Sequence, residues 1–190
     1  REYCTGGNYI AEDVANTLGI KLYDKELITM AAKNSGLSEE AVAASEKRHT
    51  HSLLYSLYTM GNDLPLGDQV FILQSRIIKQ LADEGPCVIV GRCADYVLRE
   101  RKDLLSVFIH APLSFRAQRA QKVYEKTASN IEDFVKKKDK KRAAFYNYFS
   151  QNKWGDARHY HLAISSVYGV DFAVEVLKHA AESFPGGEAL

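Results

Sequence analysis

Apolar residues along the chain fall into two alternating patterns. Short unbroken runs predict strands: residues 87–90, introduced by Gly85-Pro86 and stopped by Gly91; residues 104–109, ending before Ala111-Pro112; and the weaker His-Leu-Ala-Ile-Ser of 161–165. Residues 20–23 form a short fourth candidate. Between the runs, apolar side chains recur at helical spacing, at Ile10, Val14 and Leu18, at Val70, Leu73, Ile77 and Leu81, and at Phe172, Val176 and Leu177. Residues 38–48 open on a capping serine followed by Glu39 and Glu40, which favours a helix start. Ser129 and Glu132 stand at capping-box spacing ahead of a long helix running to about Phe149. Strands alternating with helices predict βα units around a parallel sheet buried on both faces, the α/β class. No internal repeat, low-complexity tract or linker divides the chain, so residues 1–190 read as one domain, with Pro185-Gly186-Gly187 a frayed end.

Composition narrows the partners. The 190 residues are 46% apolar and 26% charged, ordinary for one globular domain. Twenty-five Lys and Arg against 24 Asp and Glu leave a net charge of +1, so nothing global points to nucleic acid or an acidic membrane, and any anion site is local. Cys4, Cys87 and Cys93 form neither an even disulfide set nor a paired zinc pattern, which fits a reducing, cytoplasmic setting. Apolar runs fall far short of the ~20 residues of a membrane helix. The chain opens on Arg1 rather than Met, and the expectation is that residues lie upstream.

Three stretches carry chemistry. The first, Arg1-Glu2-Tyr3-Cys4-Thr5-Gly6-Gly7-Asn8-Tyr9-Ile10, is a small-residue turn feeding an amphipathic helix, so backbone N–H groups and the helix dipole face a bound anion. Two glycines before a helix also read as a plain tight turn. A full phosphate loop adds a preceding strand, a lysine and a Ser or Thr for magnesium. Against Gly-x-x-Gly-x-Gly-Lys-Gly-Thr, Cys4 replaces a glycine, Gly7 the lysine and Tyr9 the threonine. The second is Gly91-Arg92-Cys93-Ala94-Asp95-Tyr96, beyond the end of a strand, where ligands of parallel sheets collect. There Arg92 offers a planar fork to a phosphate or base edge, or pairs with Asp95. In the third, Lys136-Lys137-Lys138-Asp139-Lys140-Lys141-Arg142, Asp139 and Arg142 share a helix face, as do Lys138 and Arg142. Such a run reads as a solvated face, a nonspecific nucleic-acid contact, or a cationic cover for a transferring phosphoryl group. His49/His51 and His159/His161 read as ordinary histidines, Cys93 as a small buried filler or a cation-activated thiol, and Phe145, Tyr146, Tyr148 and Phe149 mainly as packing.

These stretches, with Tyr23-Asp24-Lys25-Glu26-Leu27, Phe108-Ile109-His110-Ala111-Pro112 and Lys153-Trp154-Gly155-Asp156, make the chain similar to the cytidylate kinase-like family, a branch of the nucleoside monophosphate kinases. The resemblance implies a three-layer P-loop NTPase-like fold, a parallel sheet flanked by helices, with a helical lid at about 127–152. It implies transfer of the ATP γ-phosphoryl group to CMP, dCMP or a related small acceptor, with Mg2+. Arg142 and Asp139 would be the catalytic lid pair. Thr5, Gly6, Gly7, Asn8, Tyr9 and Lys138 would hold ATP, and Arg92, Asp24 and Asp95 the acceptor. No direct metal ligand is assigned, Asp24 and Asp95 being candidates through water. The sequence departs from the family pattern at Cys93, where the turn has an Asp; at Lys25, where a small hydroxyl residue follows the Asp; in the last strand, around His161 and Ser165; and in the loop. Arg1, Lys25 or a lid lysine is left to replace the loop lysine's charge. The alternatives are a regulatory protein that binds nucleotide or phosphate without turnover, and a nucleic-acid module, which the charge balance opposes. Subunit number is left open.

Overall fold

The glycine loop is followed at once by α1 (Gly7–Leu18), whose Ile10, Val14 and Ala15 are buried and whose end is set by Gly19. Gly19 adopts φ 66° and its N–H donates to the Ala15 and Asn16 carbonyls, a left-handed stop that glycine takes without Cβ strain. This geometry comes from a computed structural model that describes residues 1–24, Met30, 65–123 and 130–184. After α1 come β1 (Lys21–Tyr23), α2 (Leu66–Glu84), β2 (Cys87–Ile89), the single turn α3 (Ala94–Val97), β3 (Val107–His110), α4 (Leu113–Lys122), α5 (Ile131–Ser150), β4 (Leu162–Ser165) and α6 (Val170–Ser183). The expected helix at 38–48 and the His49/His51 pair lie outside the described residues.

The strands form two parallel ladders. β1 pairs with β2, Lys21 opposite Cys87 and Tyr23 opposite Ile89; β3 pairs with β4, Val107 opposite Leu162 and His110 opposite Ser165. Residues 1–5 run beside β3, the Glu2 N–H donating to the Ile109 carbonyl at 2.9 Å. Parallel pairing requires crossover connections, which the helices between paired strands supply. The protein is thus mixed α/β with small parallel sheets.

Three apolar clusters hold these elements. Ile10 and Val14 of α1 meet Ile109, Ile164 and the Ala173, Val174 and Leu177 face of α6, with Val88 packed on them. Val70, Ile77, Ile78 and Leu81 of α2 meet Ala94, Val97 and Leu98, with Tyr23 and Ile89 alongside. Val88 and Ile89, adjacent on β2 and therefore on opposite faces, serve different clusters. Cys4, Ala120 and Val135 form the third, joining the loop to α4 and α5. A fully buried aliphatic such as Ile10 or Ile78 contributes roughly 2 kcal/mol.

Several expectations shift. The strand expected at 104–109 is Val107–His110; the approach is set instead by Ser106, whose carbonyl accepts from the His161 and Leu162 N–H groups. The long helix starts later than Ser129 predicts, because Asn130 is the cap: its side-chain oxygen accepts the Asp133 N–H at 3.2 Å, while Glu132 and Asp133 complement the dipole. Phe172 is not a core residue. The buried face of α6 is set by Ala173, Val174 and Leu177, which turns Phe172 outward, 51% exposed, against Tyr168 at 5.4 Å between ring centres.

Candidate functional site

The loop takes its shape from local bonds. The Thr5 hydroxyl donates to the Glu2 carbonyl at 3.0 Å and accepts the Gly7 N–H at 3.4 Å, and Thr5 is 1% exposed. Cys4 and Gly6 are left-handed, at φ 62° and 84°. Gly6 leaves α1 without a side-chain cap, so the helix presents first-turn N–H groups as an anion site does. The Arg119 guanidinium and the Arg1 stem fill the space beside the two glycines. A Cβ on Gly6 would lie 2.9 Å from Arg119 Nη2, and one on Gly7 2.9 Å from Arg1 Cδ. Arg119 also stands 5.6 Å from the centre of the Tyr9 ring, which is 42% exposed, and its buried Nε has no hydrogen-bond partner among the described residues.

The second centre is Asp24, just past β1. The ladder continues through the Val90 N–H, which donates to the Tyr23 carbonyl, so the carboxyl ends of β1 and β2 lie side by side. Arg92 therefore reaches Asp24: its Nη1 donates to Oδ1 at 3.2 Å, while Oδ2 accepts from Asn8 Nδ2 at 3.1 Å and Arg1 Nη2 at 3.4 Å. One carboxylate joins the helix behind the glycine loop to the Gly-Arg turn. That turn is strained, with Gly91, Arg92 and Cys93 all left-handed at φ 78°, 51° and 54°, a concentration typical of functional sites. Cys93 is 3% exposed and burial pushes its thiol up, which favours the filler reading over the activated thiol. While Arg92 pairs with Asp24, Asp95 accepts the Tyr146 hydroxyl at 2.7 Å. Burial raises its carboxyl above the usual range, and that hydroxyl partly offsets the rise.

The basic helix α5 converges on Tyr3. Asp139 Oδ1 accepts the Tyr3 N–H at 2.7 Å, and Arg142 Nη1 donates to the Arg1 carbonyl at 3.0 Å with its guanidinium 5.3 Å from the Tyr3 ring centre. Burial lowers the Arg142 guanidinium's pKa from its ordinary value, Asp139 being the main opposing influence. Lys138 Nζ lies 5.9 Å from the same ring. At the base of α5, Phe149 stacks on Phe71 of α2 at 3.8 Å, and the Trp154 N–H donates to Asn147 while its ring meets Phe108 edge-on.

Sequence reasoning missed Glu2, Arg116 and Arg119. Arg116, 6% exposed, donates through Nε to the Ala111 carbonyl at 2.9 Å, through Nη1 to the Tyr3 carbonyl at 3.3 Å and to Asp139, and lies 3.2 Å from the Glu2 carboxylate. The available signal was two arginines three apart in the helix after β3, facing the side from which the loop departs. Thr5, Gly6, Gly7 and Asn8 thus gather with Asp24 and Arg92; Lys138, Asp139 and Arg142 gather at Tyr3; the Tyr9 ring stands against Arg119, and Asp95 is held by Tyr146 within electrostatic reach of the Arg1 α-amino group. Lys25 lies outside the described residues. Among the described residues no group of three or more His, Cys, Asp or Glu side chains is arranged to hold a metal.

The sequence model of the cytidylate kinase-like family matches residues 1–168. A crystal structure of an uncharacterized protein from Eubacterium ventriosum is similar over 96% of this chain and 95% of that one, with a TM-score of 0.73 and 26% identity. A search of curated proteins finds no match. With a family match that spans the glycine loop, the Gly-Arg turn and α5, the chain belongs to the cytidylate kinase-like family.

Proposed function

We propose that the protein is an ATP-dependent nucleoside monophosphate kinase, transferring the γ-phosphoryl group to CMP, dCMP or a related small acceptor. The observation that carries this reading is the Asp24 carboxylate, which binds Asn8 beside the glycine loop and Arg92 beyond β2, and so sets a donor site next to an acceptor site. The fold we infer is the three-layer P-loop arrangement with residues 1–190 as one domain and a lid over about 127–152. Its support is that Val88 and Ile89 pack into clusters on opposite faces of β2.

In this reading, first-turn N–H groups of α1 cradle the ATP phosphates, on a loop whose shape the buried Thr5 sets from within, with Arg119 and Lys138 adding charge. Arg92 holds the acceptor's phosphate through its fork of donors. An oxygen of that phosphate bonds to the γ-phosphorus as the bond to the β,γ-bridging oxygen breaks, and ADP leaves with that electron pair. Charge spreads over the three equatorial oxygens, and Arg142, swung in with the lid, neutralises it; Asp139 holds Arg116 and the Tyr3 backbone in register. Magnesium would arrive with the phosphates, and Asp24, the carboxylate beside the loop, would hold it through water; the ion would supply neutralisation of phosphate charge. In this reading the enzyme works in the cytoplasm; among the described residues no helix is long and apolar enough to cross a membrane.

A specific observation favours a second reading, a nucleotide-binding regulator without turnover: Asp139 and Arg142 bind backbone at Tyr3 and Arg1. A coupled assay of ADP release over a panel of monophosphates separates the two. The kinase reading expects turnover that falls by about three orders of magnitude in Arg142→Ala, within the range of a cation acting on the transferred group; equal rates in the variant would refute its role. Saturable ATP binding with no product at any magnesium concentration would favour the regulator.

A further inference from the structure

We propose that Arg1 takes the place of the phosphate-loop lysine, bringing to the transferring phosphate the cation that Gly7 cannot. This rests on the kinase reading and identifies one more residue of that same site. A phosphate loop uses a lysine at the start of its helix to reach the β- and γ-phosphates. Here that position is Gly7, and the space a side chain would enter is already filled by the Arg1 stem, whose Cδ and Cβ lie 2.9 and 3.5 Å from an ideal Gly7 Cβ. A lysine at position 7 and an arginine at position 1 compete for one volume. Gly7 is therefore matched to Arg1: the charge enters from the strand side of the loop rather than from the helix.

The destination of the guanidinium fits the role. Arg1 Nη2 lies 3.4 Å from Asp24 Oδ2, the oxygen that also accepts Asn8, while Arg92 occupies Oδ1. Its stem crosses the donor loop and its head reaches the carboxylate shared with the acceptor arginine, so the cation spans the gap that the phosphoryl group must cross. The Arg1 side chain is 17% exposed, as is Asp24, which strengthens charge interactions relative to open solvent. The Arg1 carbonyl accepts from Arg142 of the lid, so lid and Arg1 are positioned together. Asp24 balances the arginines in the free protein and orients them for phosphate oxygens, to which a planar guanidinium offers a two-pronged contact where a lysine offers a point charge.

The test is calorimetric titration of ATP and of ADP, both with magnesium, into the full chain and into Arg1→Ala and Arg1→Gln, with thermal melts to establish folding. Losing a charge-assisted hydrogen-bond donor to the γ-phosphate weakens ATP binding by about 10- to 100-fold, with ADP affected less. Arg1→Gln keeps much of the stem beside Gly7 without the charge, so it tests the same loss of charge should Arg1→Ala fail to fold. A purely structural Arg1 would weaken ATP and ADP alike, and that result, or unchanged ATP affinity in a folded variant, overturns the proposal while leaving the kinase reading intact. If the unmodified protein binds neither nucleotide, the kinase reading falls and takes the proposal with it.

Discussion

Replacing Arg116 by Met is the sharpest test of how α5 is held against the loop. Met keeps an unbranched stem in the same helix but removes the donors that reach the Ala111 and Tyr3 carbonyls and the Glu2 and Asp139 carboxylates. The two carboxylates stay behind with side chains 24% and 14% exposed, too enclosed for full hydration. Breaking a buried pair by removing one partner costs about 3–5 kcal/mol, and their partial exposure brings the expectation to about 3 kcal/mol. For a domain of this size that is a fall in Tm of roughly 6–12 °C, measured by scanning calorimetry. Asp139→Asn in the same background should recover part of the loss, a coupling of about 1–2 kcal/mol in the double-mutant cycle. A fall under about 2 °C, or strictly additive effects, would refute the view that Arg116 clamps the loop to α5.

Asp95→Asn should raise Tm at pH 7. The folded carboxyl is raised by burial, so its contribution to stability is greatest below the unfolded value of about 3.9 and is lost as pH rises through the raised folded value. The gain in the Asn variant should therefore vanish in melts below about pH 4; a gain independent of pH would contradict the assignment. Gly6→Ala should destabilise by about 1–2 kcal/mol, because φ is 84° and left-handed backbone strains any Cβ. Denaturant titration measures this, and no loss would show that the loop relaxes.

Much of the fold is legible in the sequence, because apolar runs bounded by Gly and Pro mark β2 and β3, and Gly6-Gly7 ahead of helical spacing mark the loop and α1. Phe172 shows where periodicity fails: in a short helix, exchanging one apolar set for its neighbour rotates the buried face by a single position, and only packing against α1 decides between them. Asn130 shows how adjacent capping residues compete. In the site, the spacing of Asp139 and Arg142 correctly puts them on one face, yet it cannot reveal that their partners are Arg116, Tyr3 and Arg1, up to 141 residues away in sequence. Arg116 and Arg119 read as ordinary surface charges until the loop is folded against α4. Asp95, beside the Gly-Arg turn in sequence, is claimed instead by the Tyr146 hydroxyl, 51 residues away on α5.

The central claim, two nucleotide sites meeting at Asp24, is tested most directly by a single ligand that fills both. Titration with a cytidine–adenosine dinucleotide joined by five phosphates should give an affinity at least about a hundredfold tighter than ATP or CMP alone, since the second contact becomes intramolecular. In Arg92→Ala that advantage should disappear while ATP affinity is retained. Binding of the joined ligand no tighter than ATP, or insensitive to Arg92, would contradict the two-site account.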